Sequence, residues 1–268
     1  MKTMMIIASM ERLQLVLIVI LIISALTACS GPLRMQVSQN RYDLPEAAGH
    51  KKLAVDLNRH FNEYSVTFTE RISDFPVDTK TPKVEKVDPD SYEGSDDDLM
   101  LAGRYGVSEQ VELSGKLGGY LTVGAKMQLS GKSRAQATAG NLSSSITAAL
   151  SLTKSDDDND FEYDGNSIDS YYWDVGLLGG YRITDTILLY SGVFYTKYDY
   201  SIHVESLAIN QSKTSFSGDA KVNGINFGVN YDITRNFYFT VEALRSTIKT
   251  GEVDESGSFY GFNLGARF

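Results

Sequence analysis

The stretch "KVNGINFGVNYDI", Lys221 to Ile233, alternates residue by residue. Ile225, Phe227, Val229, Tyr231 and Ile233 fall on one parity. Gly224, Asn226, Gly228, Asn230 and Asp232 fall on the other. A period of two is the period of a β-strand, because successive side chains leave opposite faces of the backbone. "YLTVGAKMQL" sets Leu121, Val123, Ala125, Met127 and Leu129 against Thr122, Gly124, Lys126 and Gln128. "NLSSSITAALSLT" sets Leu142, Ile146, Ala148, Leu150 and Leu152 against Ser143, Ser145, Thr147 and Ser151. "YYWDVGLLGGYRI" sets Tyr171, Trp173, Val175, Leu177, Tyr181 and Ile183 against Asp174, Gly176, Gly180 and Arg182. In "LLYSGVFYTKYDYSIHV", Leu188, Tyr190, Phe194, Tyr198, Tyr200, Ile202 and Val204 share one face, with Lys197, Asp199, Ser201 and His203 opposite.

A soluble antiparallel sheet also has one apolar and one polar face. The make-up of the polar face separates the cases. Here it is rich in Gly, Ser, Asn and isolated charges, while the apolar face carries aromatics near strand ends. That pattern is expected of a transmembrane barrel, apolar outward to lipid and polar inward. The connections fit. "YGVSE" from Tyr105, "YRITD" from Tyr181 and "YDITR" from Tyr231 are similar short turns, each followed at once by a new strand. Between them lie long, acidic connections at 73–97, 155–169, 205–217 and 250–257. Short turns on one side and long loops on the other are the habit of outer-membrane barrels.

The chain ends "YGFNLGARF". Tyr260, Phe262, Leu264, Ala266 and Phe268 alternate to the last residue, which is aromatic. This resembles the C-terminal assembly signal of small bacterial outer-membrane barrel proteins, a porin-like class. The resemblance covers roughly residues 50–268 and implies a place in the outer membrane of a Gram-negative bacterium. It also implies outer-membrane lipid, lipopolysaccharide and the barrel assembly machinery as partners.

The other end carries the chain's one cysteine. Lys2 and Arg12 precede an apolar run from Leu13 to Ala28. A spanning helix needs about 20 apolar residues, and the core of a signal peptide about 7–15. The run therefore reads as a signal-peptide helix. It closes on Leu26-Thr27-Ala28-Cys29, which is similar to the lipobox of bacterial lipoproteins. By that resemblance Cys29 is the lipidation site, residues 1–28 are removed, residues 29–50 form a lipidated tether, and residues 51–268 form the barrel. Most barrels of this class carry no lipid, so a lipid-tethered barrel that stays in the periplasm and binds a small apolar ligand is a second architecture.

The alternation gives about ten strands, with eight as the alternative: roughly residues 53–70, 98–106, 110–118, 119–129, 142–154, 170–183, 186–204, 218–232, 236–249 and 258–268. The first slips parity near Asn62, which suits a bulge or a further turn at residues 60–63. The fold class is thus all-β, an up-and-down antiparallel barrel. An even strand count puts both termini on the periplasmic side. A barrel of this size encloses little more than packed side chains, and porins need about 16 strands. Arg104, Lys126, Asp174, Arg182, Lys197, Asp199 and Glu242 are the lumen candidates. With both signs present, they are expected either to pair and fill the lumen or to line a narrow conduit.

Other functions find little support. Residues 1–28 hold Lys2, Arg12 and Glu11, against 25 basic and 34 acidic residues in the whole chain, so the remainder carries net −10. Nucleic-acid binding wants a positive face. Tyr (16), Phe (12) and Gly (23) are plentiful and Pro (5) scarce, as in β structure. A Ser–His–Asp arrangement needs a base, and His203 sits two residues from Ser201, a spacing any strand produces. A lipid-modifying outer-membrane enzyme stands as a distant alternative, and no catalytic residue is assigned. The run Asp160 to Gly165 opens like a calcium loop but has Tyr171 where an acidic ligand is required. No metal or cofactor is expected. The chain reads as a monomeric, non-catalytic barrel lipoprotein with a structural, surface-interaction or narrow-conduit role.

Overall fold

The computed structural model describes residues 33–37, 41, 43–61, 63–68, 83–87, 99–117, 121–151, 167–205, 213–251 and 253–268. Cys29, the proposed signal peptide and the run Asp160 to Gly165 lie outside the described residues. Among the described residues there are thirteen strands: β1 (Leu33–Val37), β2 (Leu53–Phe61), β3 (Glu63–Phe68), β4 (Lys83–Val87), β5 (Leu99–Gly106), β6 (Val111–Leu117), β7 (Thr122–Ser130), β8 (Leu142–Ser151), β9 (Ser167–Arg182), β10 (Ile187–Glu205), β11 (Lys213–Asp232), β12 (Phe237–Thr250) and β13 (Val253–Arg267). Ten of them, β2 and β5 to β13, close an antiparallel barrel with neighbours in chain order. The ring is sealed where β13 pairs with β2, from Tyr260 opposite Phe61 to Arg267 opposite Ala54. Phe268 completes the seam: its N–H donates to the Leu53 carbonyl at 2.8 Å, and its carbonyl accepts from the Leu53 N–H at 3.3 Å.

Strand count and order follow the alternation. The first strand differs. Residues 53–68 form two strands in two sheets: β2 belongs to the barrel, and β3 pairs with β1 and β4 in a separate three-stranded sheet. The parity slip near Asn62 marks that change of sheet. Strands β1 and β4, five residues each, have too few alternations to stand out in the sequence.

One end of the barrel carries the turns 107–110, 183–186 and 233–236, the loop 131–141 and the β2–β13 seam. The other end carries the three-stranded sheet and the links from β6 to β7, β8 to β9, β10 to β11 and β12 to β13; the last is only two residues, because β13 already starts at Val253 and takes up most of the connection expected at 250–257. The outer surface of the turn end is apolar. Tyr231, Phe227 and Ile225 on β11, Phe237 and Val241 on β12, and Tyr260, Leu264 and Phe268 on β13 are all exposed. From Tyr260 to Phe268 the belt is nine residues deep, close to the 9–11 that a tilted strand needs to cross a bilayer.

Above that belt the polarity inverts. The strands run on past it; β10 and β11 have 19 and 20 residues. There the outer face carries ion pairs: Lys197 with Asp199 at 2.7 Å, Lys221 with Asp219 at 2.9 Å, and Lys249 with Asp254 at 2.9 Å. Hydrogen bonds donated to Asp199 and to Asp219 hold the Lys197 and Lys221 ammonium groups, respectively, above their ordinary range. The inner face at this level is an apolar core of Phe194, Tyr198, Tyr200, Ile202, Ala220, Val222, Leu244, Ile248 and Phe259. Trp173 and Tyr195, ring centroids 5.3 Å apart on the outside, sit near the change-over. The barrel is therefore apolar outside where lipid would lie, and apolar inside where water would lie.

Candidate functional site

Inside the belt the lumen is filled, and the filling is the chain's own N-terminal segment. Residues Arg41 and Leu44 to Ala48 are buried. The sequence placed them in a tether outside the barrel; the structure puts them inside it. Nothing periodic marks this segment, because it is neither helix nor strand.

Side chains from five strands hold it. The Arg41 guanidinium pairs with Asp174 on β9 and donates to Thr147 Oγ1 on β8 at 2.9 Å. The Arg41 backbone N–H donates to Glu242 Oε1 on β12 at 3.2 Å, and Lys116 on β6 donates to the Arg41 carbonyl at 3.1 Å. Lower down, Arg182 on β9 donates to Glu46 from Nε at 3.1 Å and from Nη2 at 2.5 Å. The Ala47 N–H donates to Gln128 on β7 at 2.7 Å, and the Ala48 N–H to Glu112 on β6 at 2.8 Å. Lys126 on β7 pairs with Glu112 at 2.8 Å and also donates to the Glu46 carbonyl at 3.2 Å. Each buried charge meets an opposite charge or several hydrogen bonds, as burial of a charge requires.

Two glycines on the inner face of β9 make the room. A Cβ at Gly176 would meet Arg41 Nη2 at 2.6 Å, and one at Gly180 would meet Pro45 Cγ at 2.5 Å. The segment leaves the lumen at Gly49, whose φ of 100° favours glycine. There the Lys51 N–H donates to the Gly106 carbonyl at 2.8 Å, and the chain turns up into β2.

A second cluster sits beside the seam. Arg104 forms a two-pronged bond to Asp56, at 2.8 and 2.9 Å. Asn263 Nδ2 donates to the same carboxylate at 3.0 Å. Arg134, from the loop 131–141, folds back into the lumen and bonds Asp232 at 2.6 Å, which also accepts from Arg182 at 3.0 Å and Arg267 at 2.6 Å. The guanidinium of Arg134 lies 4.2 Å from the ring centre of Tyr238, and that of Arg267 4.9 Å. The loop thereby closes the turn end of the lumen.

Five of the seven lumen candidates, Arg104, Lys126, Asp174, Arg182 and Glu242, point inward. Lys197 and Asp199 do not: they lie on the outer face above the belt, and Asp199 is 59% exposed. The alternation on β10 groups its residues correctly, but the apolar group of Leu188, Tyr190, Phe194, Tyr198, Tyr200 and Ile202 faces the interior and not lipid. Tyr198, Tyr200 and Ile202 stand beyond the belt, where water is outside; Leu188 and Tyr190 lie at belt level and cluster with Leu44 of the segment that fills the lumen. The segment residues Arg41 and Glu46, and Asp56 and Arg134, were not singled out in the sequence. Of the C-terminal residues, Tyr260, Leu264 and Phe268 are exposed on the outer face, and Phe262 lies against Phe239 with ring centroids 6.0 Å apart.

His203 bonds Ser215, not Ser201: its Nδ1 is 2.9 Å from Ser215 Oγ, and its Nε2 is 3.3 Å from Asp169. Ser201 Oγ is 3.2 Å from Ser217 Oγ. These are cross-strand contacts on the outer face. His203 and Ser215 are register partners in the β10–β11 ladder.

Closure of the sheet, the apolar outer belt and the polar, ion-paired interior define a ten-stranded transmembrane β-barrel. No family model and no curated protein matches this chain. Among solved structures, it is similar to the attachment invasion locus protein Ail of Yersinia pestis, at 13% identity and a TM-score of 0.32 over 82% of this chain and 99% of that one. It is also similar to Neisserial surface protein A, at 10% identity and a TM-score of 0.34 over 81% and 94%. The outer membrane protease OmpT of Escherichia coli gives 8% identity and a TM-score of 0.34 over 82% and 92%. At these values none of the three lends an activity to this chain.

Proposed function

We propose that this protein is a monomeric, non-catalytic outer-membrane barrel, lipidated at Cys29 and closed by its own N-terminal segment, with a structural or surface-presenting role. The observation that carries the reading is the inversion of the outer surface, from Ile225, Phe227 and Tyr231 to Asp219 and Lys221 along one strand. A barrel in water has no use for that lower belt, because exposed apolar area of this extent drives association. A barrel in lipid needs it. Phe268 closing the seam supports recognition by the assembly machinery, and the polar upper wall supports contact with lipopolysaccharide.

The filled lumen argues against a conduit. The apolar upper interior is packed by its own side chains, which argues against a carrier of small apolar ligands. The test is fractionation. A Cys29→Ala protein should stay with outer membranes after carbonate and urea washing. Release into the soluble fraction would overturn the reading in favour of a lipid-tethered periplasmic barrel. Purified protein in planar bilayers should show no steady conductance.

A further inference from the structure

The segment inside the lumen runs from one mouth to the other. At the turn end, Lys51 and Lys52 bond Gly106 beside the β2–β13 seam. Going back along the chain, Glu46 meets Arg182, the last residue of β9, and Arg41 meets Asp174, eight residues higher on the same strand. Eight strand residues span about 26 Å. Ahead of Arg41, β1 pairs with β3, Val37 opposite Tyr64 and Leu33 opposite Phe68. Strand β3 begins two residues beyond Phe61, the far end of β2. The chain therefore stands at the long-loop mouth at Val37 and reaches the turn rim at Gly49.

We infer that the chain ahead of residue 41 is delivered through the barrel to the long-loop side, so that β1, and any lipid on Cys29, stands at the cell surface and not at the periplasmic face. This rests on the outer-membrane reading above, in which turns are periplasmic and loops external. Three residues separate Cys29 from Leu33, and the four steps between them reach at most about 14 Å. That cannot recross the membrane: the lumen is already occupied, and the outer wall is lipid. The expectation that both termini are periplasmic counted the barrel strands and left out the passage through the lumen. By this topology Phe268 is periplasmic and β1 external, and acyl chains on Cys29 would enter the outer leaflet.

The test uses the full-length protein with a short epitope inserted after Gly31, probed by antibody on intact and on permeabilised cells. Expected is the same signal in both. Two companions carry the epitope within residues 156–166, between β8 and β9, or within 183–186, a turn. Heat-modifiable mobility reports that each is folded. An epitope at residue 31 seen only after permeabilisation, while the one at 156–166 is seen on intact cells, overturns this inference alone. If the epitope at 183–186 is the one seen on intact cells, the orientation assumed for the barrel fails instead. As a second measurement without an insertion, Gln36→Cys should react with a membrane-impermeant maleimide on intact cells. Reaction only after permeabilisation would again sink the inference.

Discussion

Arg182, the last residue of β9, donates two hydrogen bonds to Glu46, which lies ahead of the first barrel strand, and both side chains are all but inaccessible to solvent. The pair ties a segment with no secondary structure to the barrel wall. Breaking a buried pair from one side leaves the other charge uncompensated, at about 3–5 kcal/mol. Glu46→Ala should therefore lower stability strongly, tempered by the second bond that Arg182 makes to Asp232. The measurement is the denaturant midpoint in detergent at constant slope. An unchanged midpoint would mean that the segment does not sit where the structure puts it.

Leu264 and Asn263 are chain neighbours on opposite faces, 49% and 1% exposed. Leu264 is the centre of the outer belt between Tyr260 and Phe268. Leu264→Arg should cost about 2–4 kcal/mol near the bilayer midplane. Asn263→Ser removes one of the bonds to Asp56 while those from Arg104 and Tyr238 remain, a loss of about 1 kcal/mol. The amount of heat-modifiable protein recovered in outer membranes should fall in that order. The reverse order would mean that the two faces of β13 are exchanged.

Much of the barrel was legible because period two persists over long strands: ten strands, their order and the grouping of residues by face on β11 and β13 all follow from it. Alternation says which residues share a face; it does not say which face is inside. On β10 that gap mattered. Phe194, Tyr198 and Ile202 are apolar because they fill the upper interior, while Lys197 and Asp199 meet water outside. The rule of apolar outward fails beyond the length of chain that lies in lipid, and also at Leu188 and Tyr190, which cluster with Leu44 inside the belt. The segment from Arg41 to Ala48 was illegible for a different reason. Its order comes from partners 64 to 201 residues away, and the glycines that seat it, Gly176 and Gly180, look like any other small residues on a polar face until the register is known.

The inverted upper half makes its own prediction. Phe259 is fully buried in the apolar core that also holds Tyr198 and Ile202. Phe259→Ala should cost about 3–5 kcal/mol, the usual range for emptying such a site. Lys197→Ala removes an exposed ion pair and should leave the unfolding midpoint unmoved. If Lys197→Ala is the damaging change, the strand faces outward where it is described as facing in.

The seat of the segment can be tested without touching a charge. At Gly180 an added Cβ would meet Pro45 Cγ at 2.5 Å, the Leu189 carbonyl oxygen at 2.9 Å and Leu188 Cδ1 at 3.1 Å. At Gly179, next in the chain and facing lipid, it would meet nothing within 4 Å. Gly179→Ala should thus be neutral, while Gly180→Ala overpacks the interior by about 1–3 kcal/mol. Part of that cost comes from the barrel wall and part from Pro45. Pro45→Ala removes the Cγ atom and should relieve the second part, so the double variant should be less destabilised than the sum of the two single ones. Coupling of about 0.5 kcal/mol or more is what residues in contact show. If the two effects simply add, Pro45 does not lie against β9, and neither the filled lumen nor the passage of the N-terminal chain through it stands.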